Sequence, residues 1–310
     1  MRATTRFRRL IAAPEILVLP GVHDALGARI AELAGFQALT AGGYGATATL
    51  LGRPDSSQLG MTEMADYYAR LTDATSLPVF ADGDTGFGNV TNVARTVRCY
   101  EKAGVGGLFI EDQVFPKRCG HMAGKAVVPA AEFIAKVKAA LDARVDADLV
   151  IMARTDARAV NGLDDAIARA QAAREAGADL IFVEAPADVA EMRRICAEIE
   201  APCLANNIEG GMTPVLPAAR LREIGYAAAA FAVAATYAVA KTLTELFAAL
   251  KRDGTTEAMT GRMIDFAAFN ELVGLGAQRR REAELQDFAE RLLADRDQPE
   301  TPPNRHVARN

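Results

Sequence analysis

Between residues 16 and 250 the chain alternates short apolar runs with stretches whose apolar residues recur at helical spacing, and it does so eight times. The apolar runs cover 16–21, 37–42, 77–84, 108–112, 149–154, 180–184, 203–207 and, less sharply, 226–233. Helices are read over 24–34, 62–75, 90–103, 130–143, 163–176, 189–199, 217–223 and then to residue 250, with a Gly-rich loop from the second run to Gly60. Runs that are apolar throughout fit strands buried on both faces, the habit of parallel sheets. Three helices close on the same Ala-Gly step, at Gly35, Gly104 and Gly177, which suits a left-handed terminus before the next strand. Eight evenly spaced units predict a (β/α)8 barrel. A doubly wound open sheet is the competitor, but no GxGxxG follows the first run.

The flanks and the bulk numbers narrow the reading. An Arg-rich start carries a short amphipathic helix over 5–13, without an apolar segment and cleavage site behind it. The barrel is expected over 1–252, a helical arm with pieces around 262–273 and 278–293 over 253–294, and a disordered polar tail over 295–310. Such an arm is expected to pack on a neighbouring subunit. A net charge of −5 with no basic stripe argues against a nucleic-acid partner, and no apolar run is long enough to span a bilayer. Four cysteines without CxxC spacing point to reduced thiols in a cytoplasm, with Cys99, Cys196 and Cys203 packed in the core.

Barrel enzymes keep their reactive groups at the carboxyl ends of the strands, and the polar residues here collect at those ends. Asp82 and Asp84 close the third run, and their spacing of two puts both side chains on one side of a strand. Glu111 and Asp112 close the fourth, Arg154 and Asp156 the fifth, Glu184 the sixth, Asn206 and Asn207 the seventh. Carboxylates that converge repel unless a hard cation sits among them, and oxygen donors suit Mg²⁺, with Mn²⁺ the alternative ion. Arg154 either grips a substrate carboxylate or closes a salt bridge with Asp156 or Glu184. Asn206 either donates to the substrate or shapes a turn. The segment 116–125 sets Lys117, Arg118, Cys119, His121 and Lys125 among glycines. Its cations favour a thiolate at Cys119 and an anionic substrate, and its glycines let it close. Lys117 and Gly120 are read as substrate-binding, and His121 as tuning the thiol or the substrate oxygen.

Asp82-Gly-Asp-Thr-Gly-Phe-Gly-Asn89, Glu111-Asp-Gln-Val-Phe-Pro-Lys-Arg-Cys-Gly-His121 and Arg154-Thr-Asp-Ala157 resemble the signatures of the isocitrate lyase / phosphoenolpyruvate mutase superfamily. The resemblance implies a TIM barrel whose last helix is exchanged between subunits, a homotetramer, and Mg²⁺. It implies that Asp82 binds the ion directly, that Asp84 and Glu111 hold its waters, and that Asp55 lies near it. By the same resemblance Gly42, Gly43, Tyr44, Arg154, Glu184 and Asn206 line the substrate, and Cys119 is the acid that protonates an enolate product. Cys-Gly-His marks the carbon–carbon lyases of the superfamily and argues against phosphorus chemistry. Tyr237 stands where a methylisocitrate lyase has an arginine, so one substrate carboxylate fewer is countered. The segments 209–214 and 266–274 are similar to the 2,3-dimethylmalate lyase and petal-death-protein group.

The expectation is therefore a Mg²⁺-dependent lyase that splits a 2-alkyl or 2,3-dialkyl malate into a 2-keto acid and a carboxylate enolate. Tyr44, Glu111 and a metal-bound water are the open choices for the base. The alternatives are methylisocitrate lyase, acting on a tricarboxylate, and oxaloacetate hydrolase, with phosphorylmutase-type chemistry less favoured.

Overall fold

The computed structural model describes residues 1–122 and 124–296. Eight parallel strands run β1 (Leu17–Pro20), β2 (Leu39–Ala41), β3 (Val79–Asp82), β4 (Gly107–Glu111), β5 (Val150–Thr155), β6 (Leu180–Val183), β7 (Leu204–Asn206) and β8 (Ala228–Phe231). They form two arcs, β1-β8-β7 and β2-β3-β4-β5-β6. Single parallel bridges, Gly21 to Thr40 and Ile181 to Cys203, join the arcs on both sides, so the sheet closes into the expected barrel. Around it run α1 (Ala3–Ile11), α2 (Ala25–Leu33), α3 (Gly43–Leu51), α4 (Met61–Ala74), α5 (Val90–Lys102), α6 (Ala130–Ala143), α7 (Leu163–Glu175), α8 (Val189–Glu198), α9 (Ala218–Ile224) and α10 (Ala234–Asp253).

Alternation along each strand sorts the core into layers. Outward residues such as Val79, Ala81, Leu108, Ile110 and Ile151 pack under the helices, as do Ala153, Ile181, Val183, Ala205 and Ala229 on the other half. Inward residues fill the lumen with Leu17, Leu19, Phe80, Phe109, Met152, Leu180, Phe182 and Leu204. Helix α1 plugs the amino-terminal end. Thr4, Phe7 and Ile11 repeat at helical spacing and are buried. Phe7 stacks on Phe80 with ring centroids 5.1 Å apart. The helix lies at 3–11 rather than 5–13, ending at Ile11, the last residue of its buried face.

Gly35, Gly104 and Gly177 adopt φ of 86°, 84° and 108°, the left-handed turn expected after α2, α5 and α7. One expectation fails. The stretch after β2 is not all loop, since Gly43–Leu51 forms α3 and stops at Gly52 with φ 62°. Its glycines let the helix come close to His23, beyond β1, and to Asp82 at the end of β3; a Cβ at Gly45 would come within 3.2 Å of His23. Helical spacing was hidden because small residues supply the packing.

The chain divides into a compact unit of Met1–Arg252 and a second one beginning at Asp253. The second unit holds a 3-10 turn at Glu257–Arg262 and the helices α11 (Phe266–Leu272) and α12 (Leu275–Arg296). The first piece of the arm is thus shorter than the 262–273 read from the sequence, because Asp265 caps α11 through the Ala268 amide. Of the expected disordered tail, residues 297–310 lie outside the described residues. No helix among the described residues is long and apolar enough to cross a membrane.

Candidate active site

The strands carry the site by simple register. Asp82 pairs with Phe109 across β3 and β4, Glu111 with Arg154 across β4 and β5, and Arg154 with Phe182 across β5 and β6. Side chains at these positions point into the lumen, and each polar one stands two residues above an apolar one on the same strand. Phe80 lies below Asp82, Phe109 below Glu111, Met152 below Arg154, Phe182 below Glu184 and Leu204 below Asn206, all ten lining one cavity except Glu111, which is buried beside it. The cavity measures about 80 Å³. That is space for roughly half a dozen waters, and so for an acid of a few carbons.

The Asp82 carboxylate is held by two main-chain amides. Gly43 N donates to Oδ2 at 2.9 Å and Asp84 N to Oδ1 at 2.8 Å. Gly43 opens α3, so the carboxylate also meets the positive end of a helix. Tyr68 fixes the strand end, its hydroxyl accepting from Asp82 N at 2.7 Å and donating to Ala41 O at 2.8 Å. Asp84 does not continue the strand, which stops at Asp82. A φ of 47° turns its side chain back to the cluster, where strand alternation was the expected cause. Lys117 Nζ stands 2.8 Å from both Asp55 Oδ2 and Asp84 Oδ1. Atoms of Asp82, Asp84 and Lys117 all lie within 3.6 Å of where a Gly43 Cβ would be.

This cluster is short of positive charge. Burial pushes the Asp84 carboxyl up to about 7, with Lys117 pulling it back only in part. Burial likewise drives Glu111 well above the ordinary glutamate range, and among the described residues neither of its oxygens finds a hydrogen bond. For Lys117, burial works against the ammonium, but Asp84, Asp82, Glu111 and Asp55 outweigh it and hold the group well above the usual lysine range. No group of three or more His, Cys, Asp or Glu among the described residues is gathered closely enough to cage a metal by side chains alone. Hard oxygen donors, a buried carboxylate that accepts no hydrogen bond among the described residues, and excess negative charge do fit a hydrated divalent ion.

Arg154 is engaged with protein carboxylates. Its Nε lies 2.9 Å from Asp156 and 3.3 Å from Glu111, and its Nη2 lies 3.0 Å from Glu184. The guanidinium lies over the rings of Phe109 and Phe182, 5.5 and 5.1 Å from their centroids. Both salt bridges left open by the sequence are thus present. For Asp156, burial opposes ionisation, yet Arg154 and Lys125 hold the carboxyl down to about 2. Burial likewise opposes the Glu184 carboxylate, and Arg154 foremost keeps the group below the ordinary glutamate range. Asn206 Oδ1 is buried at the cavity wall with no hydrogen-bond partner among the described residues. Asp112 and Asn207 face outward. Asp112 accepts from Thr155 Oγ1 at 2.7 Å and Asp156 N at 2.8 Å, and Asn207 Nδ2 donates to Leu216 O at 2.9 Å.

The loop after β4 lies over the cavity. Gln113 anchors its first half through both polar groups, accepting from Arg118 N at 3.0 Å and donating to Arg118 O at 2.9 Å. Ser57 Oγ accepts from Lys117 N at 2.9 Å. Lys125 reaches back to Gly120 O and to Asp156 Oδ1. Gly120 rests on the Arg154–Glu184 pair so closely that a Cβ there would fall 2.4 Å from both side chains. Cys119 joins the cavity wall with Tyr44, whose hydroxyl accepts from Tyr237 at 3.4 Å. Its thiol is not activated as the loop's cations suggested. Burial pushes it above the ordinary thiol value of 9.0, the His121 amide only partly opposing, while Lys117 and Lys125 are taken up by Asp55, Asp84 and Asp156. The thiol therefore keeps its proton through neutral pH.

Of the residues singled out at a strand end or in the loop, Asp82, Lys117, Cys119, Gly120, His121, Arg154, Glu184 and Asn206 line one cavity, Asp84, Glu111 and Asp156 are buried beside them and Lys125 pairs with Asp156, whereas Asp112 and Asn207 face outward and Arg118 is exposed. Sequence reasoning missed the cavity floor, Phe80, Phe109, Met152, Phe182 and Leu204, although counting back two from each polar strand end would have found it. The clamps by Ser57 and Gln113 carried no signal of their own.

Comparison with known proteins agrees with this geometry. Residues 7–251 match the family model described as phosphoenolpyruvate phosphomutase. The chain is 46% identical over 275 residues to 2,3-dimethylmalate lyase of Eubacterium barkeri, covering 89% of this chain and 95% of that protein. It is 44% identical over 285 residues to the petal death protein of Dianthus caryophyllus, covering 92% and 90%. Among solved structures, oxaloacetate acetylhydrolase with 3,3-difluorooxalacetate superposes with a TM-score of 0.88 at 32% identity, covering 92% of this chain and 97% of that one. Phosphonopyruvate hydrolase with oxalate and Mg²⁺ does so with a TM-score of 0.81 at 28% identity, covering 91% and 99%. From its matched length, its barrel and the residues at the barrel mouth, the chain belongs to the PEP mutase/isocitrate lyase superfamily.

Proposed function

We propose that the protein is a Mg²⁺-dependent carbon–carbon lyase acting on a 2-hydroxy dicarboxylate, a 2-alkyl or 2,3-dialkyl malate. The observation that carries this reading is a half-buried thiol, Cys119, set by its loop into the same cavity as Asp82, Arg154 and Glu184, where burial raises its pKa above the ordinary thiol range. In the reaction a base takes the C2 hydroxyl proton, with Tyr44 and Glu111 the side chains available. The C2–C3 bond then breaks, its electron pair leaving with C3 as a carboxylate enolate while C2 becomes the carbonyl of a 2-keto acid. Cys119 returns a proton to the enolate carbon, which calls for an acid rather than a thiolate. Asp82, Asp84, Glu111 and Asp55 would hold the ion, which supplies stabilisation of negative charge on the keto-acid oxygens. Glu184 and Asp156 fix the Arg154 guanidinium so that its remaining edge, Asn206 and the Gly42–Gly43 turn orient the substrate. Lys117 and Gly120 close the cavity over it.

The neutral Tyr44–Tyr237 pair at the mouth favours a substrate with two carboxylates over one with three. A panel of malates with growing C2 and C3 groups, with 2-methylisocitrate and oxaloacetate alongside, tests the reading. Keto-acid release is expected from alkylmalates. Faster cleavage of 2-methylisocitrate, or oxalate as the main product, would replace it with one of the two alternatives.

The last barrel helix supports a subunit exchange. Helix α10 buries only Ala249 and leaves Val239, Leu243, Phe247 and Leu250 exposed. Apolar residues in such a row call for cover, and a homotetramer that swaps this helix supplies it.

A further inference from the structure

His121 sits between two loops. It belongs to the loop after β4, and its Nδ1 accepts from the main-chain amide of Met212, in the loop after β7, at 3.0 Å. An imidazole nitrogen that accepts from an amide carries no proton, so the ring's hydrogen is on Nε2. Nε2 lies 3.2 Å from Glu184 Oε1 but is not aligned for a hydrogen bond. The approach of ring and main chain is tight, since a Cβ at Gly211 would lie 2.6 Å from Nδ1. The β7 loop is pinned at its root by Asn207, which donates to Leu216 O at 2.9 Å and accepts from Leu216 N at 3.3 Å. At its tip it meets His121. The thiol loop is anchored at Arg118 and, through Lys125, at Gly120, one residue to either side of Cys119.

We propose that His121 is a positioning residue, a neutral latch that ties the Cys119 loop to the β7 loop through the Met212 amide and keeps the thiol facing the cavity. Closure of the mouth is then one event and not two, because the thiol loop reaches its closed position only against a β7 loop already in place. The latch rests on the lyase reading only for the task it gives Cys119. Gly211 is required by the same geometry, as any side chain there would push the ring away.

Two variants separate the latch from a contact with Glu184. In His121→Asn the amide oxygen stands where Nδ1 does and can still accept from Met212. In His121→Gln the amide stands where Nε2 does and cannot. With the full chain in Mg²⁺, hydrogen exchange of the Met212 amide and iodoacetamide labelling of Cys119, both read by peptide mass spectrometry, follow the two loops. His121→Asn is expected to stay near wild type in both. His121→Gln is expected to exchange and to label roughly fivefold faster, the worth of one net hydrogen bond. Turnover should follow the same order, with kcat falling in His121→Gln and recovering in His121→Asn. Equal Met212 exchange in all three proteins overturns the latch, as does labelling of Cys119 no faster in His121→Gln than in wild type, or an Asn variant as open as the Gln variant. Neither loop readout needs turnover, so an inactive wild-type protein would remove the lyase reading and leave the latch to be decided.

Discussion

At the scale of single residues, environment overrides type. Cys119 is surrounded in sequence by cations, yet burial raises its thiol, while Lys117 and Lys125 are taken up by Asp55, Asp84 and Asp156. A group whose proton is favoured by burial titrates late. Labelling of Cys119 should therefore stay slow through neutral pH and accelerate only on the alkaline side of 9.0, and turnover should decline over that same range as the acid is lost. A pH series of labelling rates checks this, and fast labelling at pH 7 would contradict it. Cys119→Ser should lose about 10²–10⁴-fold in kcat, the usual worth of a positioned acid, with KM little changed. Steady-state kinetics on an alkylmalate measures both.

At the scale of elements, the loop after β4 works because one position lacks a side chain. In Gly120→Ala the new methyl would meet Arg154 and Glu184 at 2.4 Å, so the loop must lift while the barrel beneath is untouched. The expected result is an unchanged melting temperature with a loss of kcat/KM and faster labelling of Cys119. A variant that closes normally and turns over like wild type would sink that account. The plug formed by α1 is the opposite case, a contact that serves stability. Phe80 is buried in the lumen against Phe7, so Phe80→Ala should cost about 3–5 kcal/mol of unfolding free energy in denaturant titration.

At the scale of the whole molecule, charge and exposed apolar surface set the conditions. The mouth buries Asp55, Asp82, Asp84 and Glu111 against Lys117 and an Arg154 already shared among three carboxylates. A divalent ion should therefore stabilise the fold as well as support activity. Mg²⁺ at about a hundred times its Kd is expected to add about 2.7 kcal/mol. Calorimetric binding and a melting scan with and without chelator read this apart from turnover, and unchanged melting would count against the site. The exposed row on α10 leads to an expected tetramer by light scattering, and a monomer would remove the exchange proposed for that helix.

The sequence alone determined the barrel and the positions of its polar rim. Burial on both faces writes a strand as an unbroken apolar run, and the residue that ends the run, such as Asp82, Glu111 or Glu184, necessarily stands at the mouth. Tertiary structure alone decided what those residues do to one another. Asp84 reaches the cluster through a left-handed turn that no alternation foretells, and α3 was masked by glycines and alanines whose value lies in how closely they let neighbours approach. Lys117 meets Asp55, and His121 meets Met212, across 62 and 91 residues of chain. Local propensity is short-ranged, whereas a proton's home depends on every charge and dipole that folding brings within a few ångströms.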